Sequence, residues 1–254
     1  MTTPLEPTKP VYLPTQRVVL VTGATHGLGR EIAHGIGRTG ARVLIGACDV
    51  QSGECTAAAM REEGIYANFI HVDVERPDTV AAAACLIEQN FGRLDVLVNN
   101  AGITDQGDGP PSRASVPAVR RIFDTNFFGA LSTTQGMLPL LRKSRAARIV
   151  NISTSPGSLG HDGSRDRDFA EFKRFGYSAS KAALSMLSEQ LACELKGSRV
   201  KVNSLDTGCM ASDQNGRRAH QGAPHGAVAV IHLALLEEDG PSDAFHNTAQ
   251  LETW

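Results

Sequence analysis

Thr22-Gly23-Ala24-Thr25-His26-Gly27-Leu28-Gly29 is the stretch whose reading decides the fold. It follows Arg17-Val18-Val19-Leu20-Val21-Thr22, a short apolar, β-branched run with the profile of a buried parallel strand. A helical stretch comes next and closes near Thr39 and Gly40. In that setting Gly23 permits a tight turn, Gly27 lets backbone approach a pyrophosphate, and Gly29 lets the helix pack closely on the strand. The free N–H groups and positive dipole end at the helix start then suit phosphate oxygens. An ordinary strand–helix turn also favours glycine, so the motif needs company. Gly35-Ile36-Gly37-Arg38-Thr39-Gly40 satisfies G-x-G-x-x-G as a string, but it follows a helix and precedes a strand, the reverse of the required context. Gly40 reads there as a helix end.

Outward from this turn the chain alternates strands with helices. Strands are expected at 41–46, 67–72, 94–99, 148–153, 200–204 and 243–247, with helices at 50–63, from Pro77 to Asn90, at 115–142, at 177–196 and at 224–237. Such spacing predicts right-handed crossovers and an α/β fold, a doubly wound parallel sheet of the Rossmann type with seven strands flanked by helices. Residues 1–15, with Pro4, Pro7, Pro10 and Pro14, read as an extended tail, and 16–254 as a single domain.

Composition narrows the class. At 254 residues and net charge −2, the chain lacks the strongly basic footprint of a nucleic-acid protein, so no nucleic-acid partner is expected. No apolar run approaches a membrane span, so no membrane partner is expected either. The five cysteines (48, 55, 85, 193 and 209) form no CxxC pair and read as structural thiols of a reducing, cytoplasmic setting. The histidines show no metal-ligand spacing, and no metal is expected.

Tyr177-Ser178-Ala179-Ser180-Lys181 places a phenol and an ammonium four residues apart, on one face of a helix. A free phenol titrates near ~10 and is a sluggish acid–base at neutral pH. A neighbouring cation stabilises the phenolate and lowers that value.

Taken with the glycine turn, Asp73 after the third strand, Asn99-Asn100-Ala101-Gly102 after the fourth, Asn126 in the long helix and a Ser/Thr cluster after the fifth, this pair resembles the short-chain dehydrogenase/reductase family. The resemblance is to the short single-domain form, covers about residues 16 to 248, and is carbonyl-reductase-like in the tail 233–242. It implies an NAD(P)(H)-dependent oxidoreductase that interconverts a ketone or aldehyde and an alcohol by hydride transfer. Tyr177 would be the general acid/base, Lys181 would lower its pKa and bond the nicotinamide ribose, and Asn126 would help hold a proton-relay water. A hydroxyl after the fifth strand, aligned at Thr154 with Ser153 and Ser155 beside it, would polarise the carbonyl. Cofactor contacts would come from Gly23, Thr25, His26, Gly27, Leu28 and Gly29 at the phosphates and Cys48 at the end of strand two. Asp73 and Val74 would meet the adenine, and Asn100, Ala101 and Gly102 the central part. Tyr177 and Lys181 also touch the cofactor, with Gly208, Met210 and Ser212 beyond the sixth strand.

Departures from the family pattern carry expectations of their own. Thr154 stands at the catalytic serine position and keeps the donor with an added methyl, which narrows the pocket. Residues 161–176, rich in Asp, Arg and Lys, form an insertion at the active-site mouth, which leaves homodimer, tetramer and monomer all open. Thr207 replaces the usual proline, and the short stretch before the next helix predicts a short substrate lid and an open pocket. At the end of strand two stands Ala47 rather than an acid, followed by Cys48 and Asp49. This favours NADP(H) with NAD(H) possible, His26, Arg30 or Arg42 assisting. Two further readings stand beside the enzyme of small carbonyls or alcohols: a non-catalytic dinucleotide-binding sensor or scaffold, which usually loses the Tyr or Lys, and a sugar-nucleotide epimerase or dehydratase, which needs a larger substrate domain.

Overall fold

A computed structural model describes residues 16–154, 174–206, 223–242 and 244–247. Its strands are β1 (Val18–Thr22), β2 (Arg42–Ala47), β3 (Ala67–His71), β4 (Val96–Asn99), β5 (Ala147–Ser153), β6 (Val200–Asp206) and β7 (Ala244–Asn247). Helices α1 (Gly27–Arg38), α2 (Val50–Glu62), α3 (Pro77–Phe91), α4 (Val116–Phe123), α5 (Ala130–Leu141), α6 (Phe175–Glu194) and α7 (Ala223–Leu235) fill the intervals. The strands pair in the order β3-β2-β1-β4-β5-β6-β7, every pair parallel. Six of them form the body of the sheet, and the four-residue β7 closes one edge beside β6.

β1 is buried along its whole length, and alternation divides it between two cores. Val19 and Val21 join Ile32, Ile36, Ala57, Met60 and Val230 beneath α1, α2 and α7. Val18 and Leu20 join Ile87, Met137, Leu141 and Leu191 beneath α3, α5 and α6. The strand order reverses between β1 and β4. In a doubly wound sheet the ligand crevice opens at that switch point, outside the carboxyl ends of the strands.

One element differs from the sequence reading. The long helix expected at 115–142 is two α-helices joined by a π-helical turn, Asp124–Gly129. One extra residue per turn is invisible to a 3.6-residue periodicity, because the apolar stripe resumes on the other side. The turn is held from both ends. Thr125 donates its hydroxyl to Glu75, and a Cβ at Gly129 would come within 2.7 Å of Val74 Cγ2. Pro139 lies inside α5 and does not end it. The 1–15 tail, the body of the insertion at 161–173, and Ser155, Thr207, Gly208, Met210 and Ser212, together with the substrate lid, lie outside the described residues.

Candidate active site

The glycine turn is a close-packed joint. A Cβ on Gly29 would lie 2.3 Å from the Gly23 carbonyl oxygen and 2.4 Å from Asn100 Nδ2, so only glycine lets α1 settle onto β1 here. Asn100 Nδ2 donates to the carbonyls of Thr22 and Gly23, at 2.9 and 3.2 Å. Thr22 Oγ1 accepts the backbone N–H groups of Asn100 and Ala101, both at 3.0 Å. Asn100 therefore acts here as a strut for the turn. Gly27 has φ +51°, and a Cβ there would meet nothing within 4 Å, so the loop is open on that side. No side chain caps α1, and its first turn holds no acid, so neither a cap nor a carboxylate occupies its positive dipole end. Exposed His26 and half-buried Thr25 flank this opening, joined through Nδ1 and Oγ1 at 3.0 Å.

Around the ends of β4, β5 and β6 the proposed catalytic groups converge. Asn126, fully buried on the π turn, donates from Nδ2 to the Ile103 carbonyl and to Ser180 Oγ, each at 3.1 Å. Its Oδ1 accepts the Ile103 N–H at 2.8 Å. Both N–H groups are engaged, and an acceptor lone pair is what remains for a water. Lys181 is buried, and its Nζ donates to the Ile152 carbonyl at 2.7 Å. Gly102 sits between the two: a Cβ there would be 3.3 Å from Asn126 Oδ1 and 3.5 Å from Lys181 Nζ. Tyr177 lies one turn before Lys181, with Nζ 5.7 Å from the ring centre.

Burial sets the electrostatics. The Tyr177 phenol is pushed up to about 12, chiefly by desolvation and next by the Asp206 carboxylate, with Arg174 pulling the other way. Lys181 is pulled down to about 8 by desolvation. The sequence reading expects Lys181 to lower the phenol. In the folded chain burial outweighs any such pull, and the ammonium is bonded to a backbone carbonyl.

The hydroxyl cluster sorts itself by partners. Ser153 is buried and donates to the Lys181 carbonyl at 3.3 Å, with Ser185 Oγ 2.8 Å away, so its hydroxyl faces α6. Thr154 is half-buried and stands at the strand end, one residue beyond. Sequence reasoning missed the support beneath. Ser180 accepts from Asn126 and donates to the Tyr177 carbonyl at 2.7 Å. A buried chain crosses the sheet: Asn99 Nδ2 donates to Asn151 Oδ1 at 2.7 Å, Asn151 Nδ2 to Ser188 Oγ at 2.7 Å, and Ser204 Oγ to Ser188 Oγ at 2.7 Å. Polar residues at inward strand positions were the signal, and they lie on β4, β5 and β6.

Toward the far end of the cleft, Cys48 is exposed just after β2. Asp49 spends its carboxylate as the α2 cap, accepting the Ser52 N–H at 2.7 Å, and hydrogen bonding to the Ser52 side chain and then to its backbone lowers its pKa. Asp73 accepts the Glu75 N–H in a turn after β3, and buried Val74 packs against Gly129. Arg42 does not fit the assisting role considered for it. It lies at the start of β2, buried, with its guanidinium over Tyr66 and Phe91 and a 2.8 Å bond to Asn68. That is the amino-terminal end of the strands, opposite the carboxyl ends where the cleft lies. Arg30 stays near the turn, 3.7 Å from Glu31. Among the described residues, no three His, Cys, Asp or Glu side chains group as metal ligands would, and no helix is long and apolar enough to cross a membrane.

Residues 17–222 match the family model described as short chain dehydrogenase. A short-chain dehydrogenase of Penicillium roqueforti, anuI, is 31% identical over 237 residues, which cover 91% of this chain and 92% of that protein. Mouse carbonyl reductase [NADPH] 1 is 27% identical over 276 residues, covering 93% and 98%. Among solved structures, a short chain dehydrogenase from Shigella flexneri complexed with NADP matches with TM-score 0.80 and 25% identity, covering 92% of this chain and 97% of that one. The chain belongs to the short-chain dehydrogenase family, and is thereby an NAD(P)-dependent oxidoreductase.

Proposed function

We propose that this protein reduces a ketone or aldehyde, or oxidises the corresponding alcohol, with NADP(H). The observation that carries the reading is the placing of the Lys181 ammonium 5.7 Å from the Tyr177 ring centre and, with Asn126, on either side of Gly102. The described residues fit a dinucleotide. The cradle at Gly23, Gly27 and Gly29 would take the phosphates, with Cys48 toward the ribose, Asp73 and Val74 toward the adenine, and Gly102 beside Lys181. When bound, the nicotinamide supplies or accepts the hydride.

In reduction, Tyr177 gives its phenolic proton to the carbonyl oxygen, and Thr154 donates a hydrogen bond to that same oxygen. A phenol held at about 12 keeps its proton across the neutral range, so the proton is present for donation but is given up more reluctantly than by a free phenol. Lys181, at about 8, carries its charge at neutral pH and stabilises the phenolate left behind. Asn126, locked by Ile103 and Ser180, offers its remaining lone pair to a water that returns a proton toward Lys181. Preference for NADP(H) is supported by Ala47 standing where an acid at the end of β2 would repel a 2′-phosphate.

The test is a panel of carbonyls and alcohols run with both cofactors, following absorbance of the reduced nicotinamide. Turnover of a carbonyl with NADPH, at a kcat/KM at least about tenfold above that with NADH, is the expected result. A tenfold preference for NADH overturns the cofactor assignment, and silence across the panel overturns the reaction class.

A further inference from the structure

We propose that Asp108 is a positioning residue for Tyr177. It holds the first turn of α6 so that the phenol is presented to the carbonyl, an inference that rests on Tyr177 being the proton donor. Asp108 lies in the loop between β4 and α4, 69 residues from Tyr177 in sequence. Its Oδ1 accepts the Gly176 N–H at 2.8 Å and its Oδ2 the Tyr177 N–H at 3.0 Å. The adjacent Gly109 carbonyl accepts the Phe175 N–H at 3.0 Å. Three successive N–H groups at the start of α6 are thus terminated by two residues of another segment. A helix leaves such groups without internal partners, and the residue at its own cap position, Arg174, makes no side-chain cap.

The contact is built rather than incidental. A Cβ on Gly176 would lie 3.1 Å from Asp108 Oδ1 and 3.0 Å from Val119 Cγ2, so glycine there makes room for the carboxylate. The loop that carries Asp108 is braced in turn. Asp105 Oδ2 accepts both Nε and Nη2 of Arg121, at 2.9 and 2.7 Å. Its Oδ1 takes the Gly107 N–H at 2.8 Å and its carbonyl the Asp108 N–H at 3.1 Å. The same loop includes Ile103, whose N–H and C=O grip Asn126. One short segment therefore fixes two groups of the site, Asn126 at one end and Tyr177 at the other. Proton transfer needs the phenol within hydrogen-bond reach of the carbonyl oxygen, and a displacement of about 1 Å costs on the order of 10²-fold in rate. A carboxylate on two adjacent N–H groups holds that turn more firmly than a neutral cap, because the bonds are charge-assisted and oppose the dipole.

The experiment compares Asp108→Ala and Asp108→Asn in the native and Tyr177→Phe backgrounds. Activity is read with NADPH on the best carbonyl of the panel, alongside NADPH binding by fluorescence and hydrogen exchange of the peptide spanning 174–182. Asp108→Ala is expected to lower kcat at least about 20-fold while the NADPH Kd stays within about twofold. Exchange of the Gly176 and Tyr177 amides should rise at least about tenfold. Asp108→Asn keeps one acceptor oxygen and should recover kcat to within about fivefold of native. In the Tyr177→Phe background, Asp108→Ala should remove nothing further, as expected of residues that act as a unit.

The proposal is overturned if kcat of Asp108→Ala stays within about threefold of native although the amides have opened. It is equally overturned if kcat, NADPH binding and melting temperature fall together, which marks a merely structural cap, or if the variant costs the same factor with and without the phenol. Failure of the underlying reading shows separately: a Tyr177→Phe enzyme that keeps about a tenth or more of native kcat removes the acid assignment itself.

Discussion

The Lys181 ammonium lies 5.7 Å from the centre of the Tyr177 ring, one helical turn away, while donating to the Ile152 carbonyl at 2.7 Å. The ammonium is spent on that carbonyl, and the proton itself must come from the hydroxyl. Tyr177→Phe is therefore expected to lower kcat by about 10²–10⁴-fold, the usual worth of a general acid. NADPH binding, measured by fluorescence, should hold to within about twofold, because the phosphate cradle is untouched. A variant retaining a tenth of native kcat would contradict the assignment.

Lys181 also makes a prediction about stability. Its folded pKa of about 8 lies below the ordinary value of 10.5, so between these limits the unfolded chain binds more protons than the native one. Stability from this group therefore rises with pH through that window. Tyr177, pushed up to about 12 from 10.0, has the opposite sign, but only above about 10. Denaturant melts of native protein and Lys181→Met between pH 8 and 10 isolate the lysine. The stability difference favouring the methionine variant should shrink as pH rises, and a difference that is flat or grows refutes the burial argument.

Asp206 tunes the acid. Its carboxylate raises the Tyr177 pKa, so Asp206→Asn should lower it. In pH profiles the rise of alcohol oxidation, which needs phenolate, should then move to lower pH. The fall of carbonyl reduction should move the same way. Profiles that coincide with the native ones would show that Asp206 does not act on the phenol.

Gly29 tests the cradle without touching the acid. Alanine there would drive a methyl to 2.3 Å from the Gly23 carbonyl oxygen and 2.4 Å from Asn100 Nδ2. Overpacking of this kind costs about 1–3 kcal/mol, and relief by moving the turn would spoil phosphate binding. Gly29→Ala should lose at least about tenfold in NADPH affinity, since about 1.4 kcal/mol of lost binding is a factor of ten. Undiminished affinity in titration calorimetry would mean that the turn tolerates the methyl.

Much of this was legible in the residues themselves. The Thr22–Gly29 turn between an apolar run and a helix, and the Tyr177/Lys181 spacing, are local patterns, and local geometry follows from neighbours in sequence. Strand and helix order came with them, as did the parallel sheet, because β-branched runs buried on both faces are recognisable one at a time. The π turn at Asn126 was not legible, since a single extra residue leaves the apolar periodicity on both sides intact. Nor was the fate of Arg42, which lies near the glycine turn in sequence and at the opposite, amino-terminal end of the strands in space.

What the sequence by itself determined is the set of chemical groups and the strand–turn–helix frame that holds them. Tertiary structure alone decided their environments. Burial sent the Tyr177 phenol up and the Lys181 ammonium down, and Asp206 entered the field of the phenol from β6. Asp108 reached the first turn of α6 across 69 residues of chain. Desolvation and long-range hydrogen bonding depend on what surrounds a group in space, and no window of sequence contains that neighbourhood.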